Sequence, residues 1–383
     1  MKFSMYGQDF MKLINRISGI VPKKSSFPVL ESVRFIAKEN TVEVHATDMD
    51  NFAIIEIFAD VYEVGETWVY LSDLKKLRAI NDDVIVSADG NKFDVRSAKK
   101  SYELPCRDFS VVWNFNQELE NDDVICEMAE TDLLNYLSAL HTMKSDDFTH
   151  VFNSFYFDLP NSKIVAIDGY RIGMACMDTD DCIIAEESRP LNVSGDAYEK
   201  LKSVIGKPKN EWYTVKISAD KKRVMFKGND YTYICMIVDG IYPDYSNLVS
   251  NNVGDHNYCY KVNPSELGNI AKEYGKVVKG TRKPMFIYNK DGSVATGVVV
   301  SDYRTSDSIE SVESEYGMHE EWCAGFNPKF IEEACNMYKD EVKIYGNYSN
   351  KRAILFSGKT YDCVVLPVNI DNLDVEFVKK QVA

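Results

Sequence analysis

The chain lacks the compact signatures of the common enzyme classes. It has no Gly-x-Gly-x-x-Gly run, no Walker-type Gly-x-x-x-x-Gly-Lys-Ser/Thr phosphate loop, no His-Glu-x-x-His and no Gly-x-Ser-x-Gly. Phosphate-cradling backbone, a zinc-bound water and a serine nucleophile elbow therefore have no visible carrier. Histidine is scarce, and His45, His141, His150, His256 and His319 stand isolated, as packing or surface groups do. The nine cysteines include no Cys-x-x-Cys: Cys106, Cys126, Cys176, Cys182, Cys235, Cys259, Cys323, Cys335 and Cys363 are scattered. That spacing reads as reduced, mostly buried thiols in a cytoplasmic protein, with no metal site. Asp178-Thr179-Asp180-Asp181 lacks the spacing and distal Glu of a calcium loop and reads as an acidic turn. No apolar run approaches a membrane span. The opening Met1–Asp9 has neither an apolar core nor a cleavage site, so no cleaved signal is expected. No cofactor is expected.

What the chain has is repetition. Asp82–Val95, with Tyr102-Glu103-Leu104-Pro105 behind it, reads as strand, polar turn, strand and a further strand opening on Tyr. The pattern returns at Trp212–Phe226 with Tyr233-Ile234-Cys235-Met236, and again at Val342–Phe356 with Tyr361-Asp362-Cys363-Val364. Matching Tyr102, Tyr233 and Tyr361 gives a period of a whole domain, far beyond a solenoid repeat. At 383 residues, two or three domains are expected, each able to bury a core.

Helices fall at matching places. Phe10, Leu13, Ile14 and Ile17 have helical spacing within 9–21. Thr131 is a candidate N-cap for 131–140, and Asn263-Pro264 opens a third helix. Second helices are expected at 72–80, 195–205 and 327–338, with strands such as 42–47 and 163–167 between. The fold class is α+β: three tandem domains, each a duplicated unit of helix plus antiparallel sheet.

Charge is segregated along this pattern. Stretches 8–24, 72–80, 130–144, 195–209, 264–283 and 327–339 hold 19 Lys plus Arg against 10 Asp plus Glu. The whole chain is net −15, so the remainder carries −24. Lysine is common on any solvated helix face. The sharper expectation is one positive helical surface on an acidic body, able to hold phosphates without reading sequence.

Ala166-Ile167-Asp168-Gly169-Tyr170-Arg171-Ile172, Tyr242-Pro243-Asp244-Tyr245 and Val364-Val365-Leu366-Pro367-Val368 carry a resemblance. So do the opening Met1-Lys2-Phe3 and Lys23-Lys24-Ser25-Ser26-Phe27-Pro28-Val29-Leu30. In this order and spacing the chain, from residue 1 to about 370, resembles the bacterial DNA polymerase III β subunit, the β sliding clamp. The resemblance implies three clamp-type domains at 1–122, 123–250 and 251–370, with a tail at 371–383. It implies a head-to-tail homodimeric ring whose helices line a hole for duplex DNA. Such a ring tethers the polymerase and other replication and repair proteins, and has no reaction of its own.

It also implies sites. DNA-facing candidates are Lys12, Arg16, Lys23, Lys24, Lys76, Lys144, Lys200, Lys202, Lys272, Lys276, Lys279 and Arg282. Partners, including the polymerase III catalytic subunit and the clamp loader, would insert a short hydrophobic peptide against Phe152, Ile167, Gly169, Tyr170, Arg171, Ile172, Pro243, Asn247, Leu248, Val364, Val365, Leu366, Pro367 and Val368. Arg171 would help fix the peptide. At the subunit interface, Lys99, Lys100 and Ser101 would face the acidic run Asp307–Glu315, including Glu310 and Glu313, with Val277 and Val278 nearby. Asn247, Tyr170 and Asn369 depart from the residues usual in that family. The tail leaves the peptide site directly and is a candidate to fold over it. Two other classes compete: a non-catalytic three-domain protein-binding scaffold that does not encircle DNA, and an enzyme whose site carries no motif.

Overall fold

The computed structural model describes residues 1–109, 124–145, 151–178, 180, 182–207, 213–281, 283–290, 292–300 and 303–370. The expected 371–383 tail and Arg282 lie outside these. Chain contacts divide into two compact units, Met1–Asn135 with Thr179–Val238, and Tyr136–Asp178 with Asp239–Ala383. The described helices are α1 (Gly7–Ile17), α2 (Leu71–Leu74), α3 (Glu130–Leu140), α4 (Ala197–Ile205), α5 (Tyr245–Val253), α6 (Pro264–Val277) and α7 (Pro328–Cys335).

In the first unit, α1 forms where apolar residues recur at helical spacing, and it buries Phe10, Leu13, Ile14 and Ile17. Phe10 meets Phe35 of the strand Ser32–Ala37, and Phe35 meets Phe93 at 5.2 Å. α1 also lies close against α4: a Cβ at Gly19 would sit 2.4 Å from Ser203 Oγ. Arg16 holds this contact from inside. Its Nε donates to the carbonyl of Val204, and its two terminal nitrogens donate to Asp230 at 2.8 Å.

One 14-stranded sheet organises this unit. Its decisive join is between the strand Tyr231–Met236 and the strand Asn51–Phe58, which pair antiparallel from Tyr231↔Ile55 to Cys235↔Asn51. The second unit makes the same join once more. There Tyr361–Val365 pairs antiparallel with Arg171–Cys176, from Tyr361↔Ala175 to Val365↔Arg171. A separate four-stranded sheet runs Tyr303–Ser308, Ser293–Val300, Met285–Lys290, Trp322–Phe326. α6 and α7 pack closely, the missing side chain of Gly268 leaving room for Cys335. Each begins on an Asn cap followed by Pro: Asn263 accepts from Ser265 and Glu266, and Asn327 accepts from Lys329.

Several expectations need correction. The three terminal hairpins superpose on their turns, not on their first tyrosines. The N–H of Ser97, Gly228 and Gly358 donates to the carbonyl of Lys100, Tyr231 and Tyr361, respectively. Arg96↔Ser101, Lys227↔Thr232 and Ser357↔Asp362 then pair across the strands. Tyr102 and Tyr233 therefore correspond to Cys363, and Tyr361 corresponds to Tyr231. The second helix of the first repeat is a single turn, α2, rather than 72–80. Helix α3 begins at Glu130, one residue before the expected Thr131 cap. Helix α5 was not expected; Asp244 caps it by accepting from the N–H of Asn247.

One face of the first unit's sheet carries a buried charged network. Glu43 sits between Lys38, which donates to Oε1, and His45, whose Nε2 lies 3.0 Å from Oε2. Burial opposes the Glu43 charge, but these hydrogen bonds outweigh it and hold its carboxyl at about 2. A carboxylate depressed on folding adds stability above its unfolded range, and that share fades as pH falls toward the folded value. The unfolding temperature should therefore drop between pH 4.5 and pH 2.5, and by less in Glu43→Gln. Circular dichroism melts across that range check it; equal slopes in both proteins would contradict it.

Candidate peptide-binding site and basic helices

All fourteen residues expected at a peptide site belong to the second unit. Buried Ile167, Ile172 and Val364 form one apolar cluster with Val165, Met174, Tyr242, Tyr245, Val253 and Ala353. Phe152, Leu248 and Leu366 pack against it while remaining partly exposed, as the rim of a docking patch must. Val365 is fully buried opposite Arg171. Val368 is tied elsewhere, its N–H donating to the carbonyl of Gly325. Asn247 is exposed and donates its side-chain amide to Asp244.

The tyrosines beneath the patch were missed as site residues, although the Tyr-Pro-Asp-Tyr motif contains two of them. Tyr156 and Tyr242 stack with centroids 4.5 Å apart. Tyr245 donates to Asp158, and burial chiefly, with that carboxylate, raises its hydroxyl pKa well above the ordinary range. The three rings give the patch an apolar floor, and Tyr242 and Tyr245 satisfy their hydroxyls on the carbonyl of Val165 and on Asp158.

The turn at one side of the patch is built by Asp168. Its Oδ1 accepts the N–H of Tyr170 and of Arg171, and Gly169 takes the φ of +87° that this turn requires. The turn presents Tyr170, 62% exposed, and its carbonyl accepts the N–H of Leu366 at 3.0 Å. Arg171, expected to reach a ligand, is instead buried with every end of its guanidinium engaged.

The basic residues divide the same way. Lys23, Lys24, Lys202, Lys276 and Lys279 are exposed. Lys12, Lys76 and Lys272 are exposed too, with acidic neighbours Asp9, Asp73 and Glu332. Lys144 bonds Asn153. Arg16 and Lys200 spend their charge inside the protein, on Asp230 and Asp48, and so drop out of any phosphate-facing set. Sequence displayed their charge but not partners 214 and 152 residues away.

Of the expected interface residues, Lys100 donates to the carbonyl of Ala79, and Ser101 opens the strand Ser101–Arg107. That strand pairs on one side with Lys92–Arg96, while on the other only Cys106 and Arg107 are paired among the described residues. The acidic run is split. Asp307 lies in the edge strand Tyr303–Ser308, and the N–H of Glu310 donates to Glu266 of α6. Glu313 lies in a strand already paired with Tyr258–Val262 and bonds Lys261. Val278 is buried and Val277 half-buried at the end of α6. Among the described residues, no group of His, Cys, Asp and Glu is placed to hold a metal, and no helix is long and apolar enough to cross a membrane.

Residues 1–110 match the family model of the DNA polymerase III beta subunit, N-terminal domain. The chain is 22% identical over 371 residues to the beta sliding clamp of Rickettsia bellii, covering 92% of this chain and 95% of that one. It is equally similar to that of Rickettsia felis over 370 residues, with the same coverage. Among solved structures, it superposes on a putative DNA polymerase III beta subunit from Eubacterium rectale with a TM-score of 0.83 at 19% identity, covering 97% of this chain and all of that one. The DNA polymerase sliding clamp of Bacillus subtilis gives the same TM-score and coverage at 17% identity. A match to that family over residues 1–110, joined to a likeness of sequence and fold along nearly the whole length, is what this chain shares with the DNA polymerase III β subunits.

Proposed function

We propose that this protein is a DNA sliding clamp. Two chains close head to tail into a ring of six domains, with domains at 1–122, 123–250 and 251–370. Duplex DNA passes through the hole. The ring carries out no reaction; it tethers the replicative polymerase, the clamp loader and other replication and repair proteins, each through a short hydrophobic peptide on the patch around Leu366 and Leu248. The names of the relatives support this reading.

The observation that carries it is a join made twice and left open once. Tyr231–Met236 takes Asn51–Phe58 as its neighbour, and Tyr361–Val365 takes Arg171–Cys176, in the same register. The equivalent of the first partner is Ser101–Arg107, and the equivalent of the second is Tyr303–Ser308; both keep an open edge among the described residues. An exposed edge is a template for pairing with another chain. Carrying the register over puts Lys100 opposite Asp307, Ser101 opposite Ser306, and Glu103 opposite Arg304. Both charged pairs are of opposite sign, which favours this pairing over a slipped one.

Two tests follow. The double variant Ser101→Cys with Ser306→Cys should form disulfide-linked dimers on mild oxidation, read on a non-reducing gel, while Ser101→Cys with Ser308→Cys should not. The reverse order of yields would overturn the register, and a monomer in sedimentation at low salt would overturn the dimer. For DNA, Lys23→Glu with Lys24→Glu should weaken binding to duplex without lowering the unfolding temperature. Binding by the unaltered protein should fall steeply with salt and ignore base sequence. Salt-independent or sequence-selective binding would contradict the pore reading.

A further inference from the structure

Arg171 stands where a ligand-binding group was expected, yet its side chain is only 3% exposed. Nε and Nη2 meet Asp168 Oδ2 at 2.9 and 2.8 Å. Nη1 donates to Glu333 Oε2 of α7, and Nη2 donates to the carbonyl of Thr142 at 2.7 Å. The guanidinium lies over the Phe330 ring at 4.2 Å, and the ring of Tyr170 is 5.9 Å from that same ring. A planar fork with five donors is suited to this kind of multi-point tie. Asp168, Arg171 and Glu333 are all largely buried, and Lys329 lies 3.7 Å from Glu333, so the group is balanced in charge.

The first unit holds a counterpart. Asp48 builds the equivalent turn, accepting the N–H of Asn51 with Oδ1. Its Oδ2 meets Lys200 of α4 at 2.5 Å, and Asn51 accepts from Tyr233. At both joins, the aspartate of the turn is locked to the helix of the following repeat, by different residues. A device present at a join where no peptide site is expected has a structural purpose.

We propose that Arg171 is a positioning residue for the peptide patch: it makes no contact with the bound peptide, but clamps the Asp168 turn to α7 through Glu333 and Phe330. The clamp fixes three things that touch the patch: the placement of Tyr170, the start of the strand Arg171–Cys176 that carries Ile172, and the Tyr170 carbonyl that anchors Leu366. Glu333, on α7 and outside the patch, thereby sets partner affinity. A buried, hydrogen-bonded charge whose partner is removed is left uncompensated, so loosening either end releases the turn. This inference rests on the patch being the peptide site.

The test is a fluorescence titration of the full-length protein with a labelled peptide carrying two leucines and a terminal phenylalanine, as the free acid and as the C-terminal amide. Leu366→Asp, which puts a charge on the rim, tests the patch itself; unchanged affinity there overturns the site reading, whatever Arg171 does. With the patch upheld, Arg171→Lys and Glu333→Gln should each weaken binding by about tenfold, and the double variant by little more than either, because both break one tie. The loss should be equal for acid and amide peptides. Multiplying losses in the double variant, a penalty that vanishes with the amide, or no loss in Glu333→Gln would overturn the proposal. Should Arg171→Lys melt at a lower temperature, Phe330→Leu with Glu333→Gln supplies the same cycle from the α7 side.

Discussion

The architecture depends on one repeated interaction: a strand from one repeat completing the sheet of the next. Backbone pairing of this kind is strong in sum and indifferent to side-chain identity. That indifference explains how a chain only 22% identical to its Rickettsia relative keeps the fold. It also explains why the contacts divide the chain into two units while the sequence repeats three times. Each unit forms around one join, at Tyr231↔Ile55 or at Tyr361↔Ala175. The joins are secured from the side by polar ties, Asp48–Lys200 in one and Arg171–Glu333 in the other. A third pair of edges, on Ser101–Arg107 and Tyr303–Ser308, stays unpaired along most of its length among the described residues, and the proposed ring is the arrangement that joins it.

The same logic bears on charge. A chain of net −15 is a poor generic binder of nucleic acid. In the proposed ring, topological retention removes the need for affinity, and exposed lysines such as those at 23–24 and on α6 would have only to steady the duplex while it slides. Arg16 and Lys200 hold the protein together instead, and a surface stripped of those two charges binds phosphate less tightly, which suits a moving contact.

Sequence made the fold class legible because the period-two strands, the turn glycines and the helical spacing of Phe10, Leu13, Ile14 and Ile17 are local signals. It misjudged what is not local. The third hairpin was aligned on Tyr361, whereas the turn at Gly358 sets the register and puts Cys363 in that place. The length of α2 was overestimated because Lys75, Lys76 and Leu77 fit a helix by propensity, yet the chain leaves it after Leu74. At the candidate site, the apolar residues Ile167, Ile172, Leu248, Val364 and Leu366 were found and do cluster. Arg171 reads in the sequence as a ligand group because it is a charge beside an apolar motif, and its partner on α7, Glu333, is visible only in the fold. Tyr156, Tyr242 and Tyr245 were passed over because tyrosine at a strand end or helix start looks like ordinary packing.

The central claim is that DNA is held by closure and not by affinity. Load the protein with a bacterial clamp loader and ATP onto a nicked circular plasmid, isolate the complex by gel filtration at 0.5 M salt, and cut the circle once with a restriction endonuclease. The account predicts that protein stays with the intact circle through the column and leaves within minutes of the cut. Release at the same rate from cut and uncut DNA would contradict it.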